Sequence, residues 1–154
     1  MEPKIVTKPA FHVVGVQYIG KNPNNEIAAM WQEFIPRMDE PDRIKPQVSY
    51  GLCDSAIEGL EDGDFEYVAG VEVAGPDAFV PEGMVLRSVP ERKYAIFTHQ
   101  GTLDTLGETY KNIWDTWLPQ SGLEPTDQFD MEVYNKDFIP DSPDSKFYIY
   151  VAVK

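Results

Sequence analysis

A short motif occurs twice in this sequence, and each copy has the composition of a helix that ends at a proline. Residues Trp31–Pro36 read W-Q-E-F-I-P, and residues Trp114–Pro119 read W-D-T-W-L-P. More than half of the 154 residues separate the two copies, which is far longer than the period of a solenoid repeat. The repetition therefore predicts a duplicated module: one domain over residues 1–154, with similar halves at about 4–75 and 84–154. Two halves packed side by side form a cleft, where ligands commonly bind.

Each copy of the motif closes an amphipathic helix. In the first copy, apolar residues recur with helical spacing from Ile27 to Ile35, and Pro36 ends the run. In the second, apolar residues from Leu103 to Leu118 keep one stripe for about four turns, and Pro119 with Gly122 ends the helix. The tryptophans of both stripes are expected mainly to anchor each helix to a sheet.

Segments rich in β-forming residues flank each helix in the same order. The predicted strands are Phe11–Gly20, Gln47–Cys53 and Phe65–Ala74 in the first half, and Lys93–Gly101, Phe129–Tyr134 and Phe147–Val153 in the second. The segments Glu58–Asp64 and Pro140–Ser145 are expected to be exposed hairpin connections, and residues 75–83 to join the halves. Each half therefore reads β-α-β-β. The predicted fold class is α+β, with two antiparallel sheets, helices packed on one side, and a ligand cleft between the halves.

Composition limits the classes of function. Thirteen basic and 26 acidic residues give a formal net charge of −13. Such a surface repels phosphate backbones, so no direct nucleic-acid partner is expected. No apolar run is long enough to span a membrane and the N-terminus lacks a signal-peptide pattern, so we expect a cytoplasmic protein without a membrane partner. A single cysteine, Cys53, excludes an internal disulfide.

Familiar catalytic and metal-binding motifs are absent from the sequence. The two histidines, His12 and His99, stand on different predicted strands, and no paired Cys or His spacing occurs, so no metal site is expected. There is no glycine-rich phosphate loop and no G-x-S-x-G elbow, and Cys53 has no evident partner for a catalytic dyad. These patterns assign no catalytic residue and imply no cofactor.

One carboxylate among aromatic residues remains as a candidate binding site. Strand alternation places Glu132 and Tyr134 on one face of their strand, and Tyr148 and Tyr150 on one face of theirs. If the two strands pair as a hairpin with their aliphatic faces against the helix, these four side chains share the other face. A carboxylate among electron-rich rings suits an organic cation, with an attraction of about 0.5–2 kcal/mol per ring. The alternative is a solvated Glu132, because antiparallel sheets often leave one face to water.

Two other glutamates, Glu66 and Glu72, are expected to be surface residues. They share one face of the strand Phe65–Ala74 with Val68, whereas the apolar residues and Tyr67 take the other face. On this pattern Tyr67 is a core residue.

The order and spacing of these features resemble the GyrI-like effector-binding domain family. That family includes ligand-binding domains of AraC- and MerR-type multidrug-responsive regulators, and also stand-alone proteins. The likeness covers about residues 4–154. It rests on the two β-α-β-β halves, W-D-T-W-L-P followed by Ser121 and Gly122, the D-M-E-V-Y strand, and the closing F-Y-I-Y-V-A-V strand.

The resemblance implies two SHS2 modules, an aromatic cleft between them, and a pocket glutamate at the position of Glu132. It also implies that aromatic residues from both halves line the cleft. The candidates here are Tyr67, Trp117, Tyr148 and Tyr150, with Tyr50 and Phe97 behind them.

Three functions of different classes follow. We favour a stand-alone domain that captures an amphipathic, cationic small molecule for drug sensing or sequestration, since no DNA-binding segment is recognised and no second catalytic group accompanies Glu132. The resemblance also implies an alternative, a hydrolase of cyclopropane-type electrophiles that uses Glu132 as a general base or as a transition-state stabiliser. The third is a protein-binding gyrase modulator whose acidic surface mimics nucleic acid. An exposed sheet edge or an aromatic rim would also support a homodimer.

Overall fold

The computed structural model describes residues 3–57, 59–126, 128–139 and 142–154, and these form one antiparallel sheet of eight strands with two helical segments. The strands are β1 (Lys4–Lys8), β2 (Phe11–Gly20), β3 (Ser49–Asp54), β4 (Phe65–Val73), β5 (Val85–Val89), β6 (Arg92–Gln100), β7 (Gln128–Tyr134) and β8 (Lys146–Val153). Their order across the sheet is β1-β6-β8-β7-β3-β4-β2-β5. The α+β class is confirmed. The expectation of two sheets is wrong, because β3 of the first half pairs with β7 of the second and joins them.

The two edge strands, β1 and β5, were not predicted. β1 pairs with β6 and β5 pairs with β2, so the first strand of each half lies beside the sheet of the other half. Both strands have five residues and largely half-buried or exposed side chains. Such short segments lack the long alternating pattern that identifies the other six strands.

The expected hairpin connections lie only partly within the described residues. Residues 59–64 lie between β3 and β4, and residues 142–145 lie between β7 and β8. Glu58, Pro140 and Asp141 fall outside the described residues.

Both helical segments begin where the apolar stripes begin. The first is α1 (Glu26–Phe34), followed by the 3-10 turn Ile35–Arg37; the second comprises the 3-10 turn Leu103–Thr105, α2 (Leu106–Lys111), the π-helix Asn112–Trp117 and α3 (Leu118–Ser121). Of the two residues expected to end the second segment, Pro119 lies inside it, as the second residue of α3, and only Gly122 marks its end. The chain leaves α3 at Gly122, whose φ is 77°. Among the described residues, no helix is long and apolar enough to cross a membrane.

Both faces of the sheet contain buried apolar residues. On the helix side, one cluster packs around Phe34 of α1 and another around Ile113 of the second helical segment. The opposite face carries a third cluster, which includes Tyr94 and draws on strands of both halves. A sheet buried on both faces can therefore hold polar side chains inside the fold only where they find partners.

Glu66 and Glu72 show this requirement, and the prediction that they lie on the surface is wrong. Their exposed fractions are only 3% and 7%. Glu66 accepts hydrogen bonds from Arg87 at 2.8 Å, and Glu72 accepts one from the Tyr50 hydroxyl at 2.9 Å. Alternation placed both residues on the face opposite the helices, but that face is buried as well.

Candidate ligand-binding site

Glu132 lies in the middle of β7, on the face of the sheet that the helices cover. The β3–β7 pairing places Gly51 opposite it, and the β7–β8 pairing places Ile149 opposite it. Its exposed fraction is 9%. The carboxylate is therefore buried where the two halves of the sheet meet.

Three tyrosine hydroxyl groups donate hydrogen bonds to Glu132. Tyr67 of β4 and Tyr134 of β7 each donate to Oε1 at 2.9 Å, and Tyr110 of α2 donates to Oε2 at 2.6 Å. The indole Nε1 of Trp31 in α1 donates in turn to the Tyr67 hydroxyl at 2.9 Å. The network thus joins both helical segments to the centre of the sheet. Hydrogen bonds to an ionised acceptor are stronger than bonds between neutral groups.

Glu132 has no cationic partner in the part of the chain that the structure describes. No lysine, arginine or histidine nitrogen there lies within 4.0 Å of its carboxylate oxygens. The other buried glutamates differ, because Glu66 pairs with Arg87 at 2.8 Å and Glu72 with Lys45 at 3.1 Å. Burial of a carboxylate without a counter-charge costs several kcal/mol, and the tyrosine hydroxyls are the groups in the described structure that offset this cost.

Burial and the neighbouring carboxylate raise the pKa of all three tyrosines. For Tyr67, Tyr110 and Tyr134 the loss of solvation is the larger cause, and the negative charge of Glu132 is the second. Their hydroxyl groups therefore keep their protons at neutral pH and remain hydrogen-bond donors. The same two causes raise the pKa of the Cys53 thiol beside them, so this thiol is uncharged.

A cavity of about 570 Å³ opens beside Glu132, a volume typical of sites for small organic molecules. Five aromatic residues contribute to its lining: Trp31, Phe65, Tyr67, Tyr110 and Tyr134. A second cavity of about 460 Å³ adjoins it, and Ala28, Trp31, Leu103 and Tyr134 line both. The site thus combines a buried carboxylate, aromatic surfaces and open volume.

The structure brings two of the seven predicted site residues, Glu132 and Tyr67, together at this cavity. Tyr148 and Tyr150 lie on the opposite face of the sheet, because the β7–β8 register places Ile149 beside Glu132. The expected common face for the two tyrosines and Glu132 is therefore wrong. The aliphatic face of β8 packs against the helices, as predicted. On β7, however, the face that packs against the helices is the one that carries Glu132, not the aliphatic one.

The other three predicted residues also lie outside the cavity lining. Tyr50 faces away from the helices, and its hydroxyl donates to Glu72. Phe97 is buried under the second helical segment, and Trp117 packs edge-on against its ring with the centroids 5.0 Å apart. Trp117 belongs to the same apolar cluster as Ile113, so it faces the core between helix and sheet.

Trp31 and Tyr110 complete the site and were missing from the predicted set; Tyr134 was not among the seven pocket candidates either, although strand alternation places it on the same face as Glu132. The helical stripes alone predict core positions for Trp31 and Tyr110. A further signal was available, since each carries a polar atom on an apolar stripe, and buried polar atoms need partners. That requirement points toward a polar group on the sheet, which Tyr67 and Glu132 provide.

Comparisons with known proteins identify the family of this chain. The family model for Cass2, described as an integron-associated effector binding protein, matches residues 4–153. The transcriptional regulator BrlR of Pseudomonas aeruginosa is 41% identical over 155 residues, a match that covers 99% of this chain and 56% of the regulator. The chain therefore spans about half the length of this relative.

Solved structures share the fold across nearly the whole chain. SAV2435, determined bound to tetraphenylphosphonium, superposes with a TM-score of 0.78 at 17% identity, covering 100% of this chain and 94% of that one. The integron cassette protein VCH_CASS2, from the mobile metagenome of Vibrio cholerae, gives a TM-score of 0.71 at 18% identity, with coverages of 99% and 96%. These matches confirm the predicted GyrI-like fold. The chain belongs to the family of integron-associated effector-binding proteins, within the GyrI-like superfamily.

Proposed function

We propose that the protein captures an amphipathic organic cation in the cavity beside Glu132. The observation that carries this proposal is the buried carboxylate, which has three hydroxyl donors but no cationic side chain among the described residues. A bound cation supplies the missing positive charge, and the surrounding rings supply apolar and cation–π contacts. Such binding serves either the sensing or the sequestration of these compounds.

The energies involved are sufficient for a useful affinity. A cation about 4–6 Å from the carboxylate gains about 3–4 kcal/mol at an effective dielectric constant near 20. Each aromatic ring in contact adds about 0.5–2 kcal/mol, and micromolar binding requires about 8 kcal/mol in total. Two or three rings, burial of apolar surface and the ion pair reach this value.

The relatives support the same class of ligand. SAV2435 was determined bound to tetraphenylphosphonium, a cation whose charge is surrounded by four phenyl rings. The family is described as effector-binding, and BrlR is a transcriptional regulator. A lipophilic cation that acts as an effector is consistent with the ligand of SAV2435, with the description of the family and with the regulatory role of BrlR.

The hydrolytic alternative has less support from the geometry. A general base needs a lone pair directed at the attacking water, and three tyrosine hydroxyls already occupy most of the acceptor positions of the Glu132 carboxylate. The thiol of Cys53 in the cavity lining is protonated and therefore a weak nucleophile. Turnover of an electrophile by the wild type, abolished in Glu132→Gln, would support the hydrolase instead.

Calorimetric titration with tetraphenylphosphonium tests the proposal. The wild type is compared with Glu132→Gln and with the matched control Glu72→Gln, which also removes a buried carboxylate from the sheet but on the opposite face. We expect saturable binding to the wild type and to Glu72→Gln, and binding weaker by roughly ten- to a hundredfold in Glu132→Gln. Equal affinities for the wild type and Glu132→Gln would rule out Glu132 as the counter-charge.

A further inference from the structure

We propose that the ligand site has two parts, so that one ligand places its cation beside Glu132 and an apolar arm in the adjoining cavity. We call the cavity of about 570 Å³ beside Glu132 the inner chamber and the cavity of about 460 Å³ the outer chamber. This inference rests on the proposed function, since it names the shape of ligand that the same site takes.

The two chambers adjoin along α1 and share part of their lining. Ala28, Trp31, Leu103 and Tyr134 line both, and the rings of Trp31 and Tyr134 meet edge-on with their centroids 5.4 Å apart. Trp31 is held in place because its Nε1 donates to the Tyr67 hydroxyl. A ligand that extends from one chamber to the other therefore passes these two fixed aromatic rings.

The chambers differ in charge and polarity. The inner chamber is lined by the buried Glu132 and by the exposed Asp104, whereas the described lining of the outer chamber carries no charged side chain. Three apolar residues line only the outer chamber: Ile35, Met38 and Phe138. The site therefore changes from an anionic end to an apolar end, which complements a molecule with a cationic head and an apolar arm.

The exposure of apolar side chains at the chamber rims points the same way. Ile35 is 52% exposed and Leu103 is 55% exposed, although each lines a chamber. An apolar arm that covers them removes this surface from water. Each buried methylene group improves affinity by up to about fourfold. A compact cation fills only the inner chamber, so it gains no affinity from burial of an apolar arm.

Two cations with the same head test the inference by calorimetric titration. Benzyltrimethylammonium is compact, and benzyldimethyloctylammonium carries an eight-carbon arm. We expect the octyl compound to bind the wild type at least roughly tenfold more tightly. In Ile35→Ala/Met38→Ala we expect most of this gain to disappear, while the affinity for the compact cation changes by less than roughly twofold.

The control variant is Ile44→Ala, because Ile44 is 50% exposed, close to the value for Ile35, and lines neither chamber. It should keep the full gain from the octyl arm. Thermal unfolding followed by circular dichroism checks that each variant is folded. Because Ile35 is exposed, its truncation should cost little stability.

The outcomes separate the two proposals. If the compact cation binds and Glu132→Gln weakens it, but the octyl arm adds nothing, the two-part site is refuted and the proposed function stands. A gain that survives in Ile35→Ala/Met38→Ala also refutes the two-part site. If neither cation binds the wild type, both proposals fail.

Discussion

Tyr67 connects Glu132 and Trp31, two residues of the candidate site, through hydrogen bonds. Its hydroxyl donates to Glu132 and accepts a hydrogen bond from Trp31, so one oxygen joins α1 to β7. The ring reaches β7 across Gly51 of β3: a Cβ added at Gly51 would lie 1.9 Å from the Tyr67 hydroxyl oxygen. The absence of a side chain at Gly51 is therefore what allows Tyr67 to contact the carboxylate.

The substitution Gly51→Ala should accordingly disturb the site without changing a residue of the cavity lining. We expect the added methyl group to displace the Tyr67 hydroxyl from Glu132, to lower the free energy of unfolding by about 1–3 kcal/mol, and to weaken cation binding. Urea unfolding and tetraphenylphosphonium titration measure the two effects. Gly75→Ala is the control, since a Cβ there meets no atom within 4 Å. Unchanged stability and affinity in Gly51→Ala would contradict the close packing of Tyr67 on β3.

At the level of secondary-structure elements, neither half of the sheet is complete by itself. β5 of the second half pairs with β2 of the first, β1 pairs with β6, and β3 pairs with β7 at the centre. The cluster on the face opposite the helices also draws on both halves. The halves therefore depend on each other for backbone hydrogen bonds as well as for apolar burial.

This arrangement predicts that fragments 1–75 and 84–154 do not fold separately. Each fragment alone loses the β3–β7 pairing and the edge strand supplied by the other. We expect circular dichroism to show no cooperative thermal transition for either fragment, and a cooperative transition when the two are mixed in equal amounts. A sharp transition in fragment 84–154 alone would show that the second half is independently stable.

The same elements explain how far the sequence predicts the fold and the site. Helical stripes and strand alternation are local properties, so they identified α1, the second helical segment and six of the eight strands. Strand register depends on partners far along the chain. For this reason the sequence could not show that β3 joins β7, or that Ile149 rather than Tyr148 shares a face with Glu132. Strand alternation alone made Glu132 a candidate, and the family resemblance reinforced it and added Tyr67, which the alternation pattern places in the core.

Across the whole molecule, buried tyrosines link stability to pH. Loss of solvation raises the pKa of seven of the eight tyrosines: Tyr50, Tyr67, Tyr94, Tyr110, Tyr134, Tyr148 and Tyr150. For Tyr94 the pKa rises to about 12. An unfolded tyrosine ionises near pH 10, so each raised pKa contributes stability that is fully present below about pH 10 and is lost as the pH rises toward the folded value.

We therefore expect the free energy of unfolding to fall between about pH 10 and pH 12, by up to roughly 1.4 kcal/mol per pH unit for each largely buried tyrosine, and by less for the partly exposed Tyr148 and Tyr150. Urea unfolding at several alkaline pH values measures this slope, and the ultraviolet absorbance of tyrosinate reports ionisation. Ionisation of the buried tyrosines should coincide with unfolding. Complete tyrosine ionisation near pH 10 in a protein that keeps its native circular dichroism would contradict their burial.

The most direct test of the central claim compares two ions of similar shape and opposite charge, tetraphenylphosphonium and tetraphenylborate, at one fixed ionic strength. The ratio of their affinities measures the charge preference of the site, and it is determined for the wild type and for Glu132→Gln. If Glu132 is the counter-charge, the wild type prefers the cation, and Glu132→Gln reduces that preference by roughly ten- to a hundredfold. An equal preference in both proteins would contradict the account, because the preference would then come from Asp104 in the cavity lining or from the overall charge of −13 rather than from Glu132.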